Sequence, residues 1–417
     1  MSQKKILLLC DAFPPAFAPR MGYLCKYLPE YGWDSVVVTE EIAEKIFPQL
    51  AENRNVTYIN YYLSENRFIQ KIKYAFVFAA DLLFGYKNYV LKKTAQRKID
   101  KQDFSLILVS SYRAFPLKAA VQLSRRNKLP LVMDLRDIVE QFSDNEHISK
   151  RFSKNKVVNN IFTTFLTKRL LNQRNKALAY ADVVTTVSPF HVETVSQYNQ
   201  HVTLIYNGFA PELFFPKIKH SEQFKIVYTG KILSTVLEDP NLLFESVAQL
   251  SAKEKIIPQL FRIQFYTNEK TKEIVRALAD KYKIEKYIDC FDMVNSALVP
   301  DILHDSSVLL LLTNKQKTGT KGIMTTKFFE YLAVEKPILC IRNDESYLEK
   351  TIHETQSGIS AKTVEEVSDF ILLQYAEWQK NGYTHQQVNK SEKQQYSRKR
   401  QAEEFVSIFG SLLKHTK

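Results

Sequence analysis

Two residues in the stretch TTKFFEYLAVE carry the sharpest chemistry in the chain. Lys327 and Glu330 stand three apart, just after a strand-like run and a loop with two glycines. The stretch reads as a helix that Thr325 or Thr326 can cap. Lys327 then falls in the first turn, where the helix dipole disfavours a cation. A lysine there makes sense if a phosphate shares the helix end. Glu330 lies one turn in and can accept two hydrogen bonds from a vicinal diol such as ribose. A solvated helix glutamate is the alternative. Its neighbours Phe328, Phe329, Tyr331 and Leu332 argue for a buried helix and against an idle carboxylate.

Four other places carry candidate groups. In YTGKI, Gly230 lets the backbone approach a ligand closely, and Lys231 is placed to neutralise a diphosphate. In MDLRDIVE, Asp134, Arg136 and Asp137 form an acid–base cluster at a strand end, with Asp137 able to cap the next helix. A purely structural Asp134–Arg136 pair reads equally well. LVSSYRAFP puts Ser110, Ser111 and Arg113 at another strand end. Arg20 follows a proline-rich loop near the start of a helix, which suits an anionic group or simple solvation.

These groups need elements to hold them. Short β-branched or aliphatic runs recur, separated by longer helical stretches. In the first half they fall at 6–10, 35–39, 56–60, 105–110, 130–135, 183–188 and 202–208. In the second half they fall at 224–230, 261–267, 308–313 and 337–341. Runs apolar on both faces suit parallel strands covered by helices on both sides. The alternation reads as doubly wound α/β, where ligands sit at the carboxyl ends of strands. The rhythm breaks at 209–222, with two prolines and no periodicity, and then restarts. Two Rossmann-like domains are expected, 1–210 and 211–390. A tail helix, 391–417, carries Phe405, Ile408, Leu412 and Leu413 at helical spacing and can pack on either domain.

Composition bounds the class. The 417 residues are 45% hydrophobic and 25% charged, which excludes a disordered, collagen-like or disulfide-stapled chain. The four cysteines make no CxxC pair and no zinc-like spacing, so a reduced, cytoplasmic chain is expected. The N-terminal apolar run is strand-length and is followed by an acid and prolines, unlike a signal peptide. No stretch approaches the length needed to span a bilayer.

The net charge of +13 is concentrated. Segment 66–101 holds nine Lys/Arg against two acids, and segment 150–176 holds eight against none. An anionic partner follows, either acidic lipid, a phosphorylated substrate or nucleic acid, unless the face is merely solvated.

Taken together, the stretches at 13–39, 110–116, 130–137, 181–189, 205–209, 228–232 and 326–339 resemble retaining, nucleotide-sugar-dependent glycosyltransferases of family 4. They recur in order and cover nearly the whole chain. The resemblance implies the GT-B fold, two Rossmann-like domains facing across a cleft. The first domain is expected to take the acceptor and the second the donor. It implies a donor loop through Gly230, Lys231, Gly322, Ile323, Met324, Thr325, Thr326 and Lys327, with Glu330 on the nucleotide ribose. It implies Arg20, Ser111, Arg113 and Arg136 on the acceptor side. The family has a second glutamate eight positions before the ribose one, and here that position is Gly322. Many polysaccharide-type relatives also keep only the second, with a lysine three before it, as Lys327 stands here. A further basic residue usual a few positions after Lys231 is also missing, so Lys327 or a first-domain arginine is left to compensate.

The implied reaction transfers sugar from a UDP- or GDP-linked donor to a glycan or lipid-linked acceptor with retention, in cell-surface polysaccharide synthesis. Lys231 and Lys327 stabilise the departing diphosphate, while Asp134 and Asp137 orient the acceptor. The arrangement calls for no cofactor and no metal. The apolar and basic mixture of 66–101 suits an interfacial helix on anionic lipid, or a core helix with a charged edge. A peripheral location on the inner face of the plasma membrane fits. Two rival readings share the features: a sugar-nucleotide epimerase of the same architecture, and a non-catalytic nucleic-acid-binding protein using the basic patch. No nucleic-acid module is recognisable, so no nucleic-acid partner is expected.

Overall fold

The computed structural model describes residues 4–52, 54–141, 155–232, 238–313, 324–341 and 347–415. It contains two compact units. One is formed by residues 1–206 and 398–417, the other by 207–397.

The first unit is built on a parallel seven-stranded sheet. Its strands are β1 (Lys4–Cys10), β2 (Trp33–Glu40), β3 (Asn55–Ile59), β4 (Leu106–Ser111), β5 (Leu131–Leu135), β6 (Val183–Thr186) and β7 (Val202–Leu204), in the order β3-β2-β1-β4-β5-β6-β7. The central strands β1, β4 and β5 are buried along almost their whole length. That is why they read as unbroken apolar runs rather than alternating ones. Strand order reverses at β1, which pairs with β2 on one side and β4 on the other. The carboxyl ends of β1 and β4 therefore flank the unit's switch point, where ligands bind in such sheets.

The second unit repeats the plan with six parallel strands. They are β8 (Phe224–Thr229), β9 (Phe261–Thr267), β10 (Ile288–Asp292), β11 (Val308–Leu312), β12 (Ile338–Ile341) and β13 (Gly358–Ala361), in the order β10-β9-β8-β11-β12-β13. Its switch point lies between β8 and β11. All eleven strand-like runs of the sequence are strands. The two that were not read, β10 and β13, are the edges of this sheet. An edge strand needs no apolar run on both faces, and β10 is half-exposed to exposed throughout.

The unit boundary follows Tyr206, four residues before the expected one. The tail packs on the first unit from Arg398 onward. Its helix Arg398–His415 buries Ala402, Phe405 and Phe409, and the Phe409 ring lies 5.2 Å from that of Trp33. Residues 391–397, expected to belong to the tail helix, stay with the second unit.

Segment 66–101 is two helices, Arg67–Phe84 and Tyr86–Ile99, parted by Gly85 at φ 68°. Asn66 caps the first by accepting from the Phe68 and Ile69 amides. The other basic segment is a helix over Lys156–Leu178 capped by Asn155. Its first basic residues, Lys150, Arg151 and Lys154, lie outside the described residues.

Candidate donor and acceptor sites

In the second unit, helix Thr326–Val334 follows β11 and starts beside the switch point. Phe328, Phe329, Tyr331 and Leu332 are buried, and the two phenylalanine rings meet 5.3 Å apart. The helix stops at Glu335, which takes the left-handed conformation, and Pro337 leads into β12. Thr325 stands at the N-cap in extended conformation, but its side chain makes no capping hydrogen bond. The capping role read from the sequence is therefore positional only. The Phe328 amide donates to the Thr325 carbonyl at 3.1 Å.

Lys327 lies across the end of β8. Its Nζ sits 4.8 Å from the Tyr228 ring centre and donates to Tyr228 Oη at 3.3 Å. Tyr228 Oη in turn donates to the Lys231 carbonyl at 3.0 Å. Gly230 has φ +135°, and a Cβ there would sit 2.5 Å from Lys327 Cε and 2.7 Å from Nζ. The space over Gly230 is taken by the Lys327 side chain, so the glycine serves the lysine as well as any ligand. Burial pushes the Lys327 pKa down, against the opposing charges of Glu238 and Glu330. A lysine held this way gains most when a phosphate joins it.

Glu330 is half-buried one turn along the same helix. Tyr331 backs the site, its hydroxyl 3.4 Å from Thr229 Oγ1. Lys231 is exposed, while Met324 is buried and Thr326 half-buried beside Lys327. Gly322 and Ile323 lie outside the described residues.

In the first unit, the structure corrects the Asp134 reading. Asp134 is 0% exposed and pairs with Arg20, not with Arg136. Its two oxygens accept from Arg20 Nε and Nη2, from Ser110 Oγ at 2.9 Å and from Thr185 Oγ1 at 2.8 Å. Arg20, 2% exposed, also donates to the Ile205 and Tyr206 carbonyls at 3.0 Å. A carboxylate with every lone pair engaged in the interior cannot orient an acceptor. Arg20 and Asp134 hold each other in the interior of the first unit. Ser111 is likewise committed: it is buried, donates to the Phe115 carbonyl at 2.7 Å and accepts from the Arg113 amide.

The remaining candidates do converge at the switch point. Arg136 forms an ion pair with Asp11, whose other oxygen accepts from the Tyr112 amide at 2.7 Å. The Arg136 Nε is buried without a hydrogen-bond partner among the described residues. Arg113 lies 5.0 Å over the Tyr112 ring. Asp137 is half-buried, and burial raises its pKa. It accepts from Gln141 Nε2 at 2.8 Å. Gln141 and Val139 form a short 3-10 turn, and the next described helix is capped by Asn155, so Asp137 does not cap it.

Gln141 is held by His191 Nε2 at 2.6 Å, while His191 Nδ1 meets Thr186 Oγ1 at 3.0 Å. Burial lowers the His191 pKa to about 4, so the ring is neutral. Beside it, Glu140 takes a two-pronged contact from Arg174 at 2.7 and 2.6 Å. Asp11, Tyr228 and His191 were not singled out from the sequence. Asp11 had a signal, because it directly follows β1. Tyr228 and His191 had none beyond their neighbours.

Among the described residues no group of three His, Cys, Asp or Glu side chains gathers as a metal site. No family model and no curated protein sequence matches the chain. Solved structures do. Anabaena HepE, determined with UDP and glucose, superposes with a TM-score of 0.63 at 15% identity, covering 98% of this chain and all of its own. The sucrose-phosphate synthase of Thermosynechococcus elongatus superposes at 0.58 and 10% identity, covering 99% of this chain and all of its own. A Listeria monocytogenes structure described as a "putative UDP-N-acetylglucosamine 2-epimerase" superposes at 0.55 and 12% identity, covering all of this chain and 98% of its own. Likeness at these identities establishes the architecture. With a seven-stranded and a six-stranded parallel unit, the chain has the GT-B fold.

Proposed function

We propose that the chain is a glycosyltransferase that moves a sugar from a nucleoside-diphosphate sugar to a hydroxyl of a glycan acceptor. The observation that carries this reading is the placement of Lys327. It is held half-buried against Gly230 at the second unit's switch point, in the first turn of its helix and one turn before Glu330. A diphosphate supplies what that arrangement lacks, and a ribose diol suits Glu330. HepE was solved with UDP, which favours a uridine donor.

In the reaction the bond between the anomeric carbon and the diphosphate breaks, and a bond to the acceptor oxygen forms. The nucleoside diphosphate and the acceptor's proton are released. Lys327, the positive end of its helix dipole and the exposed Lys231 stabilise the charge that develops on the leaving diphosphate. This set works without a divalent metal. Asp137, with its raised pKa, and Arg136, whose Nε has no hydrogen-bond partner among the described residues, are the groups proposed to orient the acceptor hydroxyl. Attack on the face the diphosphate leaves retains configuration. A lipid-linked acceptor at the cytoplasmic face of the membrane, in cell-envelope polysaccharide synthesis, suits the basic segments of the first unit.

An epimerase is the second reading, favoured by the fold shared with the Listeria structure. Thermal-shift titration with UDP, GDP, ADP and CMP on wild type and Glu330→Ala tests the donor site. Stabilisation by one diphosphate, lost in the variant, is the expected result. Turnover of the matching nucleotide sugar then separates the readings. Acceptor-dependent release of the diphosphate supports transfer. An isomerised nucleotide sugar formed without acceptor overturns it.

A further inference from the structure

The first unit carries two helices whose apolar ridges face outward. In helix Arg67–Phe84 only Val77 is fully buried. Phe68, Ile72, Phe76 and Leu83 recur at i, i+4, i+8 and i+15, so they lie on one face. That face is turned to solvent: Phe68 is 71% exposed, Phe76 66% and Leu83 68%. The helix ends on Phe84, itself 80% exposed. Helix Lys156–Leu178 repeats the device with Val157, Ile161 and Phe165, again one face and again exposed. Arg169 of this helix donates to the Leu82 carbonyl at 2.5 Å, tying it to the end of the first. A surface that exposes this many large apolar side chains on adjoining helices has a partner.

The charges around the ridges choose the partner. Arg67, Lys71 and Lys73 are exposed on the first helix, and Lys156, Lys168 and Arg169 on the second, which has no acid at all. A second copy meeting this face would bring like charge against like charge. A nucleic-acid backbone would satisfy the cations and leave the aromatic ridges wet. A bilayer rich in anionic lipid satisfies both, with apolar side chains below the headgroups and cations among them. Among the described residues no helix is long and apolar enough to cross a membrane, so the contact lies on the surface. Helix Tyr86–Ile99, with five Lys/Arg and no acid, buries Leu91 and Ala95 and shows no such ridge.

We infer that helices 67–84 and 156–178 form an interfacial docking surface for an anionic membrane, entered by the Phe68–Ile72–Phe76–Leu83 and Val157–Ile161–Phe165 ridges. This deepens the acceptor side of the proposed function. Donor binding is measured separately, so each reading fails on its own result.

The test is co-sedimentation of the full chain with vesicles of phosphatidylcholine alone and of phosphatidylcholine mixed equally with phosphatidylglycerol. The wild type binds the mixed vesicles, more weakly but still measurably at high salt. Phe68→Ser/Phe76→Ser/Leu83→Ser lowers partitioning about 1,000-fold, since each of the three large apolar side chains contributes about tenfold. Lys71→Glu/Lys73→Glu loses the preference for the mixed vesicles. All substituted positions are exposed, and an unchanged melting temperature without nucleotide confirms the fold. Absence of wild-type binding overturns the inference. So does binding that salt abolishes and the serine variant retains, which marks a polyanion site. A lipid-free dimer that the serine variant dissociates overturns it too.

Discussion

Arg20 and Asp134, 114 positions apart, meet as a two-pronged ion pair in the interior of the first unit, with Arg20 Nη2 2.9 Å from Asp134 Oδ1. The pair joins the first helix after β1, the end of β5 and the carbonyls of Ile205 and Tyr206. The Arg20 guanidinium also sits 5.4 Å over the Phe405 ring of the C-terminal helix. It holds together four separate stretches of the chain.

Breaking this pair should therefore cost stability rather than chemistry. Asp134→Asn leaves a buried guanidinium without its charge partner, which costs about 3–5 kcal/mol. Denaturant unfolding should show that loss in Asp134→Asn and Arg20→Met alike. A change under about 1 kcal/mol would return Asp134 to the list of reacting groups.

Gly230 and Lys327 should behave as one unit. An alanine at 230 strains a positive φ and drives its Cβ into the Lys327 ammonium. Gly230→Ala and Lys327→Met should each weaken nucleoside-diphosphate binding about 10-fold or more, as expected for losing a charged hydrogen bond. The double variant should be scarcely worse than either alone. Calorimetric titration of all three against wild type reads the coupling. Fully additive losses would separate the two residues.

The depressed pKa of Lys327 gives the proposed nucleotide site a pH dependence of defined sign. Its ammonium is the binding form, and burial lets the proton go at a lower pH than an ordinary lysine would. Diphosphate affinity should be full at neutral pH and fall as pH rises through the lowered value. Bound diphosphate should pull the pKa back up, so binding takes up protons on that limb. Lys327→Arg should remove the fall, because a guanidinium stays charged throughout. Titrations in buffers of differing ionisation enthalpy measure the uptake, and an equal slope in Lys327→Arg would assign the effect elsewhere.

His191 should set an acid limit on the first unit. Its pKa is lowered from 6.5 to about 4 by burial. Below 6.5 the unfolded chain binds a proton that the folded ring does not, so stability declines as pH falls from 6.5 towards 4. The full difference is about 3 kcal/mol. His191→Gln should flatten that part of the Tm-against-pH curve. An unchanged slope would assign the acid loss to neighbouring carboxylates.

Much of the architecture was legible because a central parallel strand has to be apolar on both faces. LILVS, LVMDL and VLLLL cannot be helix surfaces or loops, and each is a strand. IDCFD and GISA are not distinguishable from loop by that rule, and both turned out to be edge strands. The nucleotide-site candidates were legible for a related reason. Gly230 and Lys327 adjoin a strand end or open a helix, and local sequence places both.

What the sequence alone determined is therefore local: where chain becomes strand, where helices start, and which residues gather at strand ends. Which of those residues face outward and which are consumed inside was decided by tertiary structure. Asp134 and Asp137 are three apart at the end of one strand. Yet Asp134 is sealed by Arg20, Ser110 and Thr185, while Asp137 stays half-buried with a raised pKa. Likewise, segments 66–101 and 150–176 read alike as basic and apolar. Only packing decided that helix 86–99 turns its apolar side inward while helices 67–84 and 156–178 turn theirs out. Periodicity shows that a helix has an apolar face; what covers that face depends on contacts from distant parts of the chain.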